Sequence, residues 1–135
     1  MPHRGSVPMS WRLAKHRYAL VGTRCTGCKA THFPPRSVCK ECGHEGMEKF
    51  AFSGKGKILS YTIIRAAPDG FERYSPYVVA LVQLEEGPVV SAHVVGCNEN
   101  EETKIGAPVR MVFRKLYEDG SSGVINYGFK FELVE

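Results

Sequence analysis

Two Cys-x-x-Cys knuckles, Cys25-Thr-Gly-Cys28 and Cys39-Lys-Glu-Cys42, stand ten residues apart. Each knuckle offers two sulfurs from one tight turn, and a hairpin between them brings the pairs together. Four thiolates at the corners of a tetrahedron form a ligand set that suits zinc and leaves no position open for a reacting water. The spacing therefore predicts one structural Zn2+ held by Cys25, Cys28, Cys39 and Cys42. Gly27 and Gly43 suit the turns, where amides approach sulfur and a positive φ is useful. A thioredoxin-like use of either pair needs a βαβ pattern that the sequence lacks. Iron–sulfur proteins use other spacings. His32 and His44 lie beside the knuckles, but no ligand is missing, so both read as surface or supporting residues. Cys97 stands apart and reads as a small apolar side chain.

The 135 residues suffice for one domain, or for one domain with a metal-stapled appendage. No apolar run approaches the ~20 residues of a membrane span, and the first ten residues lack the apolar stretch of a signal peptide. A soluble, cytoplasmic protein is expected, and in a reducing compartment five cysteines serve as metal ligands or free thiols. Charge is uneven. Residues 1–57 carry eleven Lys/Arg against three Glu, whereas residues 58–135 carry seven against eleven acidic groups. The basic half holds the cysteines.

Three parts follow from the pattern: a basic arm over 1–20, the cysteine module over 21–52 and a strand-rich part over 54–135. In the arm, Ser10 is expected to cap a short helix from Trp11 to about Tyr18, with Trp11, Ala14 and Tyr18 on one face. So short a helix is unstable alone; it docks either on its own protein or on a partner. Tyr18–Thr23 and Met47–Phe52 have strand composition. Beyond Gly54-Lys55-Gly56, strands are expected at Lys57–Arg65, Tyr77–Leu84, Val89–Val95, Val109–Tyr117 and Val124–Val134. The run Val78-Val79-Ala80-Leu81-Val82 reads as a buried strand, and Ile125, Tyr127, Phe129, Phe131 and Leu133 alternate strictly. Asn98 to Thr103 reads as a turn or a short helix. The fold class is thus mainly β: a short N-terminal helix and a zinc ribbon, then a five-stranded OB-fold barrel, which hides its edges. An immunoglobulin-like sandwich needs about seven strands.

No nucleophile elbow, phosphate loop or His-Glu-x-x-His appears. His93 lies mid-strand without an evident carboxylate or nucleophile beside it, and nothing near Cys97 would lower its pKa. The pattern favours binding over catalysis. A ribbon joined to an OB barrel could bind single-stranded nucleic acid, and stacking aromatics are present. Yet residues 58–135 are net acidic, and neutralising phosphate dominates such affinity.

Trp11-Arg12, Arg17-Tyr18-Ala19-Leu20-Val21-Gly22, the two knuckles, Phe33-Pro34-Pro35-Arg36, Gly54-x-Gly56, Ile105-Gly106-x-Pro108-Val109 and Tyr127-x-Phe129 together resemble the acyl-CoA-associated zinc-ribbon/OB-fold family over residues 8–135. Lys29 departs from the glycine that many members have after the first knuckle. The resemblance implies a non-catalytic subunit that bridges acetoacetyl-CoA thiolase and hydroxymethylglutaryl-CoA synthase, or serves a related thiolase-like enzyme. It implies hand-over of an acyl-CoA intermediate and a place in mevalonate and isoprenoid synthesis. On this reading the arm and ribbon meet the partner through Trp11, Arg12, Arg17, Tyr18, Phe33 and Arg36. Phe71, Tyr74 and Tyr77 then form a wall for the CoA arm; simple barrel packing is the competing account of these three rings.

Overall fold

The computed structural model describes residues 6–97 and 103–134. Of the stretch Asn98 to Thr103, read above as a turn or short helix, all but Thr103 lies outside them. The chain forms two compact units that divide between Ala51 and Phe52. Counted on these units rather than at residue 57, the first is +6 and the second −2. The barrel is therefore less acidic than the cut at 57 implies, because Lys55 and Lys57 belong to it. No described helix is long and apolar enough to cross a membrane.

In the first unit, two six-residue helices replace the single helix expected from Trp11 to Tyr18: α1, Val7–Arg12, and α2, Ala14–Ala19. Ser6, not Ser10, is the cap, its Oγ accepting from the Met9 amide at 3.4 Å. Pro8 explains the shift, since proline fits a first helical turn, where its missing N–H costs nothing. Leu13, at φ −93° and ψ 3°, interrupts the path, so Trp11 and Tyr18 fall on different helices. Leu20 ends α2 in the left-handed region at φ 51° and is fully buried. His16 Nδ1 lies 2.7 Å from the Val21 carbonyl and ties α2 to the strand that follows. Three antiparallel strands form the ribbon sheet in the order β2–β1–β3: β1 Val21–Cys25, β2 Thr31–His32 and β3 Met47–Ala51. Tyr18, placed above in a strand, belongs to α2.

The second unit is a closed five-stranded barrel: β4 Lys55–Ile64, β5 Tyr77–Leu84, β6 Val89–Val95, β7 Pro108–Glu118 and β8 Ile125–Leu133, ordered β4–β5–β6–β8–β7. All five expected strands are present within a few residues of their expected ends. One pair, β6 with β8, is parallel, through Val94↔Phe131 and Val95↔Glu132; it closes the barrel. Ile58, Val82, Leu84, Val94, Val109 and Phe131 fill the interior. Gly56 is forced by a close approach, because a Cβ there would meet the Gln83 carbonyl oxygen at 2.5 Å.

Two patterns differ from expectation. The apolar run of β5 is not buried throughout: Val78, Ala80 and Val82 point inward, while Leu81 is 45% exposed. A barrel has one interior, so alternate residues must leave it. On β8, Phe131 is fully buried but Ile125 and Tyr127 are exposed. Beyond Arg110, β7 pairs with β8 but no longer with β4. The far part of this hairpin has no interior to face, and Phe113 instead stacks on Tyr127 at 5.5 Å.

Candidate metal centre and barrel cavity

The ribbon brings the two knuckles together. The Sγ atoms of Cys25, Cys28, Cys39 and Cys42 all lie within 4.8 Å of one another. Cys25 stands 3.6 Å from Cys42, and Cys28 stands 3.5 Å from Cys39. A tetrahedron with Zn–S bonds of ~2.3 Å has edges of about 3.8 Å, so the donor set and its spacing fit one zinc ion. The turns are closed by backbone bonds, Lys29 N–H to the Cys25 carbonyl at 3.1 Å and Gly43 N–H to the Cys39 carbonyl at 3.0 Å. Amides of Cys28 and Gly27 point at Cys25, and the first of these does most to hold its thiol down to about 6 despite burial. Cys28 receives a lowering bond from the Ala30 amide, but the crowding sulfurs of Cys39 and Cys42, with burial, push it up to about 12. Four sulfurs this close cannot all ionise without a cation, which is the electrostatic signature of a metal site. His32 is buried, with Nε2 3.4 Å from Cys39 Sγ, and supports that sulfur from outside the cluster. His44 is exposed and lends Cys39 only its backbone carbonyl.

Gly43 takes the positive φ expected of a knuckle glycine, at +71°. In the first knuckle the left-handed residue is Lys29, at φ 63°, not Gly27. This gives the departure at Lys29 a physical meaning: the chain carries a side chain where the backbone favours glycine. Lys29→Gly is expected to raise ribbon stability by about 1 kcal/mol, read as slower zinc loss to a chelator.

The six residues assigned to partner contact lie on α1, on α2 and in the connector after β2. Trp11 is 79% exposed at the end of α1, beside exposed Arg12. Arg17 is half-buried and Tyr18 partly exposed on α2. Phe33 is half-buried in the connector, where the Phe33–Pro34 peptide is cis. Arg36 is exposed, its amide donating to Thr23 Oγ1 at 3.0 Å.

Phe71, Tyr74 and Tyr77 do come together. Phe71 lies 6.2 Å from Tyr74 and 6.1 Å from Tyr77, ring to ring. Tyr74 belongs to a 3₁₀ turn, Glu72–Tyr74, in the connection between β4 and β5. This connection roofs the outer face of β6 and β8. Tyr77 lies 4.8 Å from His93, and Tyr74 lies 6.2 Å from it. Beneath the roof is a cavity of about 360 Å³ lined by Ile63, Tyr74, Tyr77, His93, Arg114 and Lys130, among others. Sequence reasoning missed Lys130, since alternation with Phe129 and Phe131 assigns it to solvent. It is 3% exposed, with Nζ 4.7 Å from the Tyr74 ring centre. The one signal was a roof able to cover that outer face, the aromatic-rich loop Phe71–Tyr77.

His93 is half-buried in this cavity, where burial first, and the Lys130 charge second, push its pKa down to about 4. The folded form thus prefers the neutral ring, while an unfolded histidine titrates near ~6.5. The unfolded chain binds more protons between these values, so stability is full above about pH 6.5 and falls as pH drops towards 4. The loss is expected to reach about 1–2 kcal/mol after solvent screening of a half-exposed ring. His93→Gln should flatten this part of the profile, checked by urea unfolding followed through β5 and β6 amide resonances.

Two family models match. Residues 14–48 match the ChsH2 rubredoxin-like zinc ribbon domain, and residues 51–114 match the ChsH2 C-terminal OB-fold domain. The chain is 49% identical, over 95% of its length and 93% of the relative's, to a DUF35 domain-containing scaffold protein of Pyrococcus furiosus. It is 31% identical to the benzoylsuccinyl-CoA thiolase subunit BbsA of Geobacter metallireducens, covering 82% of this chain and 73% of that one. Among solved structures, the Ltp2-ChsH2(DUF35) aldolase aligns over 98% of both chains, with a TM-score of 0.72 and 31% identity. Relatives at the higher identities carry scaffold names rather than enzyme names, although the structural neighbour is an aldolase complex. The chain belongs to the DUF35 family, ChsH2-like proteins built from a zinc ribbon and an OB-fold domain.

Proposed function

We propose that this protein is a non-catalytic scaffold subunit that partners thiolase-type acyl-CoA enzymes. The observation that carries the reading is 43–49% identity over nearly the whole chain with scaffold-named relatives, joined to the likeness to a thiolase subunit and to a chain of an aldolase structure. The finer form is a bridge between acetoacetyl-CoA thiolase and hydroxymethylglutaryl-CoA synthase in the cytoplasm, feeding mevalonate and isoprenoid synthesis. Thiolase condensation of two acetyl-CoA is uphill, and direct transfer of its product to the synthase would draw it forward. In this arrangement zinc holds the ribbon rigid, and arm and ribbon together present Trp11, Arg12, Arg17, Tyr18, Phe33 and Arg36 to an acidic enzyme surface. Charge complementarity of that kind speeds encounter. Phe71, Tyr74 and Tyr77 contribute an apolar wall to the CoA arm, a group that binds in largely apolar sites.

Co-expression of the tagged chain with both enzymes of its source organism tests this. A complex of all three is expected in size-exclusion chromatography, with faster synthase product formation than from the enzymes alone. Elution with the thiolase only would keep the scaffold and remove the bridge. Elution with neither, together with sub-micromolar binding of single-stranded DNA at ~0.15 M salt, would replace the scaffold reading by nucleic-acid binding.

A further inference from the structure

Among the described residues, the cavity under the 3₁₀ turn holds a buried lysine with no carboxylate partner. Lys130 is 3% exposed, yet among the described residues no carboxylate lies within ion-pair reach of its Nζ. Its one close partner is the face of the Tyr74 ring. Of the other cations at the rim, Lys115 pairs with Glu118 at 2.6 Å, while Arg114 lies 3.8 Å from Glu132, a carboxylate that Arg110 holds more closely. His93 is held neutral and adds no negative charge. Burying an unpaired ammonium is costly; here burial, and next the Arg114 charge, push the Lys130 pKa below the ordinary lysine value, a strain that a bound anion would relieve. The remaining walls are apolar or aromatic: Ile63, Tyr77, Val94 and Val95.

We propose that this cavity is a binding site for a small organic anion, a carboxylate or a phosphodiester, whose head pairs with Lys130 and whose apolar body lies against Tyr74 and Tyr77. The buried Lys130 supplies the positive charge for the head, and Arg114, which shares Glu132 with Arg110, stands in the same lining. The volume of about 360 Å³ admits a short chain or a single ring. The place agrees with the fold, since OB barrels bind oligonucleotides and oligosaccharides on the face of their second and third strands and beside the loop after the first. Here those are β5, β6 and the Tyr74 loop. The assignment rests on the cavity alone and holds whichever enzymes the scaffold meets.

The test uses the full zinc-loaded chain, with butyrate and dimethyl phosphate as probes and butyramide as the uncharged control. Titration followed by the ring resonances of Tyr74, Tyr77 and His93 is expected to show saturable binding of at least one anion, on the order of 1 mM. The tighter probe names the head group. Lys130→Met, which keeps the shape and removes the charge, is expected to weaken binding at least ~tenfold. In the ligand-free protein the same variant is expected to raise the melting temperature, because an unpaired buried charge is gone. Tyr77→Leu keeps the charge and should weaken binding through the lost wall. Equal binding of butyramide, anion binding untouched by Lys130→Met, or no binding of either anion would overturn the proposal. So would a lower melting temperature in Lys130→Met, the mark of a broken ion pair.

Discussion

Cys39→Ser is expected to unfold the ribbon and leave the barrel standing. The ribbon has little else to hold it. Its sheet includes a strand of only two residues, and its fully or nearly buried side chains are Leu20, Thr23, Cys25, His32 and Cys39. Two of those five are metal ligands, and His32 packs against one of them. So small a core cannot offset the ordering of about 30 residues. Zinc supplies on the order of 10 kcal/mol to such modules, comparable to the whole stability of an ordinary domain. Cys39 is the informative position because it is 3% exposed, so a serine there leaves an unfilled ligand site that water reaches poorly. Cys28 and Cys42 are exposed, and solvent can complete the coordination of Cys28→Ser, which should lose zinc more slowly. The barrel keeps its own closed sheet and its own core. The check is metal content together with an amide spectrum of the full chain. Resonances of 21–51 should collapse into the unfolded region while those of β4–β8 keep their dispersion. A zinc-free Cys39→Ser protein with a fully dispersed ribbon would show that the metal is not the organiser.

Some of this architecture is local enough to read from sequence, and some is not. Knuckle spacing is a local constraint, so the four-sulfur cluster was legible. Strand alternation is also local, and Tyr77–Leu84 and Val89–Val95 were placed to the residue. The helix break was not legible because it depends on a contest between caps: Ser6 with Pro8 wins over Ser10, and Leu13 then interrupts the path. Nor was the environment of Lys130. Period-two alternation tells which face a residue takes, but not whether another segment covers that face. The Tyr74 turn lies more than fifty residues earlier in the chain and turns an outer position into a buried one. His93 was legible as a strand histidine, while its depressed pKa comes from the same roof. Lys29 shows the reverse case. Its departure from glycine looked minor in sequence, and only the backbone, at φ 63°, shows what it costs.

Trp11→Ala is expected to weaken attachment to the partner enzymes about thirtyfold or more. The residue is 79% exposed on a six-residue helix that has no buried side chain of its own. A large aromatic held open on an element this short contributes little to its own fold, and such a helix gains order chiefly by docking. Tryptophan is also the side chain most enriched among interface anchors, where truncation costs ~2 kcal/mol or more. That energy corresponds to the thirtyfold loss. With Phe33 and Arg36 extending the contact along the ribbon, Arg12, exposed in the last turn of α1, and Arg17 on α2 are expected at the rim. Their alanine variants should slow association and reduce its salt dependence, with a smaller effect on dissociation. Because Trp11 is exposed, its removal should leave the melting temperature of the isolated chain nearly unchanged, within about 0.5 kcal/mol of stability. Affinity is measured with the purified thiolase and, separately, the synthase. Thermal unfolding is measured on the chain alone. Unchanged affinity with a clear fall in melting temperature would make α1 a structural element of this protein and move the partner surface elsewhere.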